Sequence, residues 1–168
     1  MKKAIASSPT GTLTVLSVSP FEEDCLSLQA IVGHSTWRLF HAHDLGSAVA
    51  LLQQHEITVV LCERDLPSGT WIDLLESLRS LPDPPSLIVA SRLADERLWA
   101  EALNLGAWDV LAKPFDRNEL FRSVQSAWRH WRDRRSGRYK APSPPVGAAN
   151  SARSQRSRSP DAWSGTAP

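Results

Sequence analysis

Five short apolar runs alternate with segments of helical periodicity between about residues 12 and 135, and this alternation limits the folds open to the chain. Each run is rich in β-branched or other apolar residues and is followed by a turn signal and a helical pattern. This order is typical of βαβ units that build a parallel sheet. The predicted strands are Leu13–Val18, Arg38–Ala42, Ile57–Cys62, Leu87–Ser91 and Asp109–Ala112.

The helical segments carry recognisable start and stop signals. Ser19 with Glu22 matches a capping box and predicts that the first helix begins there. Asp44 and Asp116 are suitable caps for the second and fifth helices, and Gly106 is placed to end the fourth. We therefore predict an α/β fold with five βα units in a single doubly wound domain, whose functional groups lie at the carboxyl ends of the strands.

The segments outside this domain differ from it in composition. Residues 1–11 lack periodicity, and residues 136–168 are rich in Ser, Pro and Arg, so we expect both to be disordered. Residues 129–168 contain 9 Lys and Arg but only 2 Asp and Glu. Residues 1–128 contain 10 Lys and Arg and 16 Asp and Glu. The chain thus combines an acidic body of 12–135 with a basic end that includes Arg153, Arg156 and Arg158.

Composition also limits the compartment. No apolar run approaches the roughly 20 residues of a membrane span, and Cys25 and Cys62 form neither a disulfide framework nor a zinc motif. We expect a cytoplasmic protein that has no contact with membranes.

The predicted strand ends carry the polar residues on which a function would depend. Ser19 and Pro20 follow the first strand, Glu63 follows the third, Ser91 ends the fourth, and Lys113 with Pro114 follows the fifth. Together with Gly106-Ala107, Asp109 and Phe115, the Lys113-Pro114 motif resembles the receiver domain of bacterial two-component response regulators. The resemblance covers about residues 12–133 and implies a flavodoxin-like (CheY-like) parallel sheet with strand order 2-1-3-4-5.

The resemblance also implies a chemistry, namely phosphoryl transfer from a phosphohistidine to an aspartate at the end of the third strand. In that family a metal ion held by acidic residues, a Ser or Thr, and a Lys stabilise the charge of the transferring group. Ser91 and Lys113 match the last two positions. Glu63 stands at the phosphoacceptor position, and the acidic pair is replaced by Ser19 and Pro20.

These departures predict a degenerate site. Ser19 and Pro20 supply no anionic ligand for Mg²⁺, so we expect no metal, no cofactor, no enzymatic activity and negligible phosphorylation of Glu63. Val110 fills the usually aromatic switch position, which argues against a switch by aromatic rotation. Glu63 would either mimic a phosphorylated aspartate or only pair with Lys113, and the sequence leaves both interpretations open.

Other acidic and histidine residues invite functional interpretations that we weigh as weaker. Glu22, Glu23 and Asp24 are explained by the capping box and the helix dipole better than by a displaced metal site. Asp65 is a possible substitute phosphoacceptor but is two residues too late. Two alternating histidines near the end of the second strand, His41 and His43, show no third ligand and favour an exposed edge over a zinc site.

The tryptophans suggest where a partner would bind. We expect most of the seven to be packed, but Trp99 and Trp108 fall near the face of the fourth helix, fifth strand and fifth helix that the family uses for partners. This favours a protein partner, such as a histidine kinase, another regulator or an output protein, and either a monomer or a homodimer through that face.

Three functional hypotheses result. The first is a stand-alone receiver-like module that signals by protein binding, without phosphorylation and without an output domain. The second is a functional phosphorelay receiver that accepts phosphate at Glu63 or Asp65. The third is a nucleic-acid-associated regulator that acts through the basic tail, and the absence of a folded reader motif makes it the weaker of the alternatives.

Overall fold

The structure is a computed structural model that describes residues 12–137. Its principal elements, in chain order, are the strands and helices β1 Thr14–Val18, α1 Glu22–Val32, β2 Arg38–Ala42, α2 Leu45–Gln54, β3 Val59–Glu63, β4 Asp65–Leu66, β5 Gly69–Thr70, α3 Trp71–Arg79, β6 Ser86–Ser91, α4 Glu96–Leu105, β7 Asp109–Ala112 and α5 Arg117–Arg135. The predicted alternation of strands and helices is therefore present.

Five of the strands form one parallel sheet in the order β2-β1-β3-β6-β7. Numbered among the long strands alone, this is the expected order 2-1-3-4-5, and the fold prediction is confirmed. Two further short strands, β4 and β5, pair antiparallel in the loop after β3. The sequence did not predict this small hairpin because two-residue strands are too short to show a period of two.

The core lies on both faces of the sheet. Every residue of β1, β3 and β6 is buried, as a central parallel strand covered by helices on two sides requires. One core cluster, which includes Leu16, Val60 and Trp71, packs against α2, α3 and α4. The other, which includes Val59 and Leu120, packs against α1 and α5. The carboxyl ends of the strands are thereby held at one edge.

The predicted start of α1 is wrong in one respect that affects the site. The helix begins at Glu22 with Phe21 as its N-cap, and no side chain caps it. The hydroxyl of Ser19 instead donates to the Asp24 carboxylate, and Ser19 Oγ accepts from Phe21 N at 3.2 Å. Ser19 and Glu22 therefore form no capping box, because the Ser19 N–H that Glu22 would accept donates to the Ala42 carbonyl at 2.9 Å instead.

The other helix signals behave as predicted. The side chains of Asp44 and Asp116 accept hydrogen bonds from the backbone N–H groups of Ser47 and Glu119, respectively. Gly106 ends α4 in the left-handed conformation with φ of 104°. The predicted fifth helix ends at Arg135, while the N-terminal segment 1–11 and the basic residues 153–158 of the tail lie outside the described residues. No helix within 12–137 is long and apolar enough to cross a membrane.

Candidate functional site

Two chain segments bring opposite charges together at the carboxyl edge of the sheet. Glu63 is the last residue of β3, and Lys113 follows β7 directly. The ammonium group of Lys113 forms an ion pair with the Glu63 carboxylate, and both side chains are nearly removed from solvent, at 4% and 9% exposure. A pair this deeply buried is stable only while both partners are present, because either one alone would be an uncompensated buried charge.

A second carboxylate completes the cluster, and sequence reasoning assigned it elsewhere. Asp24 Oδ2 lies 2.6 Å from Lys113 Nζ and accepts the Ser19 hydroxyl proton, also at 2.6 Å. The helix dipole alone would predict an exposed carboxylate at this position, but the Asp24 side chain is only 9% exposed. The spacing of Asp24 in the sequence could have predicted this burial. Asp24, Leu28 and Val32 recur every four residues and form the buried face of α1.

An aromatic ring lies close to the ammonium group of this cluster. The centroid of the Phe21 ring is 5.0 Å from Lys113 Nζ, within the range of a cation–π contact. Arg92, in the loop after β6, has its Cζ 6.0 Å from the centroid of the same ring and forms an ion pair with the exposed Glu23. The Lys113 ammonium is thus surrounded by two carboxylates and an aromatic ring, all from this chain.

The remaining residues of the predicted site lie beside this cluster. Ser91 is buried, but its hydroxyl oxygen accepts the Leu93 backbone N–H at 3.1 Å, while its carbonyl accepts from Lys113 N. Pro114 follows Lys113 through a cis peptide bond. Val110, at the switch position, is 5% exposed and belongs to the core cluster that packs against α4.

The donor set does not fit the metal ion that the fold family uses. Ser19 contributes a hydroxyl that is already hydrogen-bonded, and Pro20 contributes no side-chain ligand. The two carboxylates of the cluster already share the Lys113 cation. Within the described part of the chain, no group of three or more His, Cys, Asp or Glu side chains is arranged to hold a metal ion.

Other candidate residues lie outside the cluster. Asp65 is well exposed and pairs with its neighbour Arg64 at 2.7 Å, in the β4 strand of the hairpin. His41 and His43 meet edge to face with ring centroids 4.7 Å apart. His41 is half-buried, and burial, together with the neighbouring His43, lowers its pKa, while the more distant Asp24 opposes this change. The imidazole of His41 is therefore neutral at pH 7.

The two tryptophans proposed for a partner face differ in their surroundings. Trp99 on α4 is 43% exposed, and Leu103, one turn further along the same helix, is 42% exposed. Trp108 is half-buried and stacks on His130 of α5 with centroids 4.6 Å apart. Trp108 precedes β7 and therefore lies at the amino end of the sheet, whereas Trp99 is near the start of α4, towards the opposite end.

Comparisons with known proteins agree with this architecture. The chain is 31% identical over 128 residues to the uncharacterized transcriptional regulatory protein YcbL of Bacillus subtilis, a match that covers 74% of this chain and 54% of the relative. It is 25% identical over 126 residues to the transcriptional regulatory protein ZraR of Salmonella typhimurium, covering 73% and 28%, respectively. The chain thus spans about half or less of these relatives.

A solved structure and a family description extend the comparison. The signal receiver domain of an HD domain-containing protein from Pseudomonas fluorescens Pf-5 superposes with a TM-score of 0.70 at 26% identity, covering 79% of this chain and 98% of that domain. Residues 24–125 match the family described as the response regulator receiver domain. That match spans more than half of the sequence, and the chain therefore belongs to the response regulator receiver family.

Proposed function

We propose that this receiver signals by binding a protein partner and does not accept a phosphoryl group. The observation that carries the proposal is the state of Lys113, the residue that in the family contacts the incoming phosphoryl oxygens. Its ammonium group is already neutralised by Asp24 and Glu63 and is almost without exposure to solvent. A phosphodonor would have to displace two buried carboxylates from this cation, without help from a metal ion.

The geometry also favours one of the two interpretations of Glu63. A phosphoryl group in this family engages both the Lys and the Ser or Thr of the site. Here Glu63 pairs with Lys113, but among the described residues no hydrogen bond joins it to Ser91, whose hydroxyl oxygen accepts the Leu93 N–H. Because Asp24 shares the same cation, Glu63 acts in our proposal as a structural partner of Lys113 and not as a phosphate mimic.

The partner in this proposal is a protein of the signalling pathway, such as a histidine kinase, another regulator or an output protein. Exposed apolar side chains support a binding surface on α4, where Trp99 and Leu103 project from one face and Leu93 is exposed in the preceding loop. The receiver domain in this proposal extends over residues 12–135. The partner face also permits a homodimer.

Phosphorylation provides the direct test. Incubation of the full chain with a small-molecule phosphodonor and Mg²⁺ should leave its intact mass unchanged, because both carboxylates of the cluster are paired with Lys113 and are not arranged to hold a metal ion. The matched control is a receiver with the ordinary acidic residues, treated and measured in parallel. A labile adduct that disappears in Glu63→Gln or Asp65→Asn would instead establish the phosphorelay alternative.

The two interpretations of Glu63 predict opposite behaviour of its variants. We expect Glu63→Gln to lower the free energy of unfolding by about 1–3 kcal/mol, because it leaves a buried ammonium group with one carboxylate fewer. Partner affinity in a pull-down or titration should remain unchanged. If Glu63→Asp, which keeps the charge, alters affinity while stability is retained, the carboxylate is a phosphate mimic and our interpretation fails.

A further inference from the structure

A second site lies at the opposite end of the sheet from Lys113. A cavity of about 180 Å³ lies at the start of β6 and just before the start of β7. The end of α3 and the last turns of α5 lie beside it. Pro84 and Trp108 form part of its wall, and Arg79, His130 and Arg134 contribute the cationic or titratable side chains. The cavity is independent of the cluster at the carboxyl edge and of the function proposed for it.

The charged side chains that line the cavity, Arg79 and Arg134, are both positive, although Asp133 is close enough to act on His130. None of its lining residues is Asp or Glu. Across residues 12–137, neither Arg79 nor Arg134 forms an ion pair with a carboxylate, although other arginines of α5 do so. Two guanidinium groups that face one cavity repel each other, so an anion between them would lower the energy of both.

Both guanidinium groups are held in place by the backbone. Arg79 donates one N–H to the carbonyl of Leu105 at the end of α4, and Arg134 Nη2 donates to the Pro84 carbonyl at 2.7 Å. These bonds satisfy carbonyl groups, and they also fix each side chain without neutralising its charge. Because a guanidinium group has five N–H donors, each arginine retains donors for a further acceptor.

One of those donors lacks an acceptor in a place where water does not reach it. Nε of Arg134 is buried and has no hydrogen-bond partner among the described residues. A buried donor left unpaired costs free energy, and such groups in native proteins call for an explanation. A phosphate oxygen is no smaller than a water molecule and does not reach Nε either, so the donors that Arg134 offers to an anion in the cavity are its remaining Nη N–H groups, which suit phosphates and carboxylates.

We propose that this cavity binds a small phosphate-type oxyanion through Arg79 and Arg134, against the stacked rings of Trp108 and His130. The cavity is large enough for a phosphate group. The rings of Trp108 and His130, whose centroids are 4.6 Å apart, form the wall beside it. Burial, and next the charge of Arg134, lower the pKa of His130, while Asp133 opposes them. The imidazole is therefore neutral at pH 7 and leaves the anion to the two arginines.

The test is a titration of the full chain with inorganic phosphate at constant ionic strength, followed by the NMR signals of the Trp108 indole and the arginine side chains. We expect saturable shifts at these groups. Arg79→Gln and Arg134→Gln should each weaken binding about tenfold, the usual loss of one charged hydrogen bond. Arg129→Gln removes the same charge from an exposed position of α5 outside this cavity and should leave the affinity unchanged.

Two outcomes would contradict the proposal. Shifts that do not saturate, or an equal loss in Arg129→Gln, would overturn it, because binding would then be general charge screening. A parallel titration with adenosine monophosphate identifies the source of the phosphate: tighter binding than the free ion indicates a phosphate ester, and equal binding indicates inorganic phosphate. Melting temperatures of the variants, measured alongside, show whether each is folded. If Arg134→Gln does not fold, Arg79→Gln still tests the site.

Discussion

Replacing Lys113 with methionine should destabilise the domain by about 3–5 kcal/mol, the cost of removing one partner from a buried ionic cluster. The substitution preserves most of the side-chain volume, so the loss is electrostatic and not a cavity effect. Asp24 and Glu63 would remain in a site where each side chain is 9% exposed, with no cation between them. Urea denaturation, with the midpoint and slope both fitted, measures the change in the free energy of unfolding.

An exposed ion pair next to the site gives the matched control. Arg92 and Glu23 also form a charge pair, but their side chains are 68% and 62% exposed. Arg92→Met should therefore cost no more than about 1 kcal/mol, as is usual for pairs in contact with solvent. Combining Lys113→Met with Asp24→Asn and Glu63→Gln should recover part of the lost stability. A Lys113→Met variant as stable as Arg92→Met would show that the cluster is not buried as described.

Trp71→Ala should produce a comparable loss of about 3–5 kcal/mol, by a different mechanism. Trp71 is the first residue of α3 and is 2% exposed, within the core cluster between the sheet and α2, α3 and α4. Its removal would leave a large cavity, whereas the backbone hydrogen bond from Trp71 N to the Arg64 carbonyl at 3.1 Å is retained by alanine, so the loss is one of packing. Thermal and urea unfolding both report the effect.

Trp99→Ala provides the comparison for this prediction. Its ring is largely exposed on α4, so truncation should change stability by at most about 0.5 kcal/mol. If α4 binds the partner, the same substitution should reduce partner affinity while the fold is unaffected. Equal losses of stability in Trp71→Ala and Trp99→Ala would contradict the described packing of the core.

The sequence was sufficient to predict the fold because its strongest patterns are local. Strands β2 and β7 were predicted with the observed bounds, and Gly106 was correctly placed at the end of α4. The predicted third strand begins two residues before β3 does. Ile57 and Thr58 are buried and apolar or β-branched, as strand residues are, but they precede the strand. The apolar pattern of a sequence indicates which residues are buried, and the buried residues extend beyond the ends of the strand.

The candidate site was less predictable because its contacts are not local. Glu63 and Lys113 were placed at one edge by the topology of the sheet, but nothing in the sequence required Asp24 to join them. Ser19 was predicted to cap α1 together with Glu22, but its N–H donates to the Ala42 carbonyl and its hydroxyl donates to the buried Asp24 carboxylate. Asp24 in turn accepts a hydrogen bond from Lys113, 89 positions away in the sequence, a contact that only the folded chain provides.

The internal neutralisation of Lys113 has a consequence for the time course of signalling. An acyl phosphate hydrolyses, so a phosphorylated receiver carries its message for a limited lifetime and then returns to rest. In the proposed module, the anion beside Lys113 is part of the polypeptide and cannot be hydrolysed away. Partner occupancy would then follow the amount of this protein relative to the dissociation constant, and synthesis and degradation would set the duration of the response.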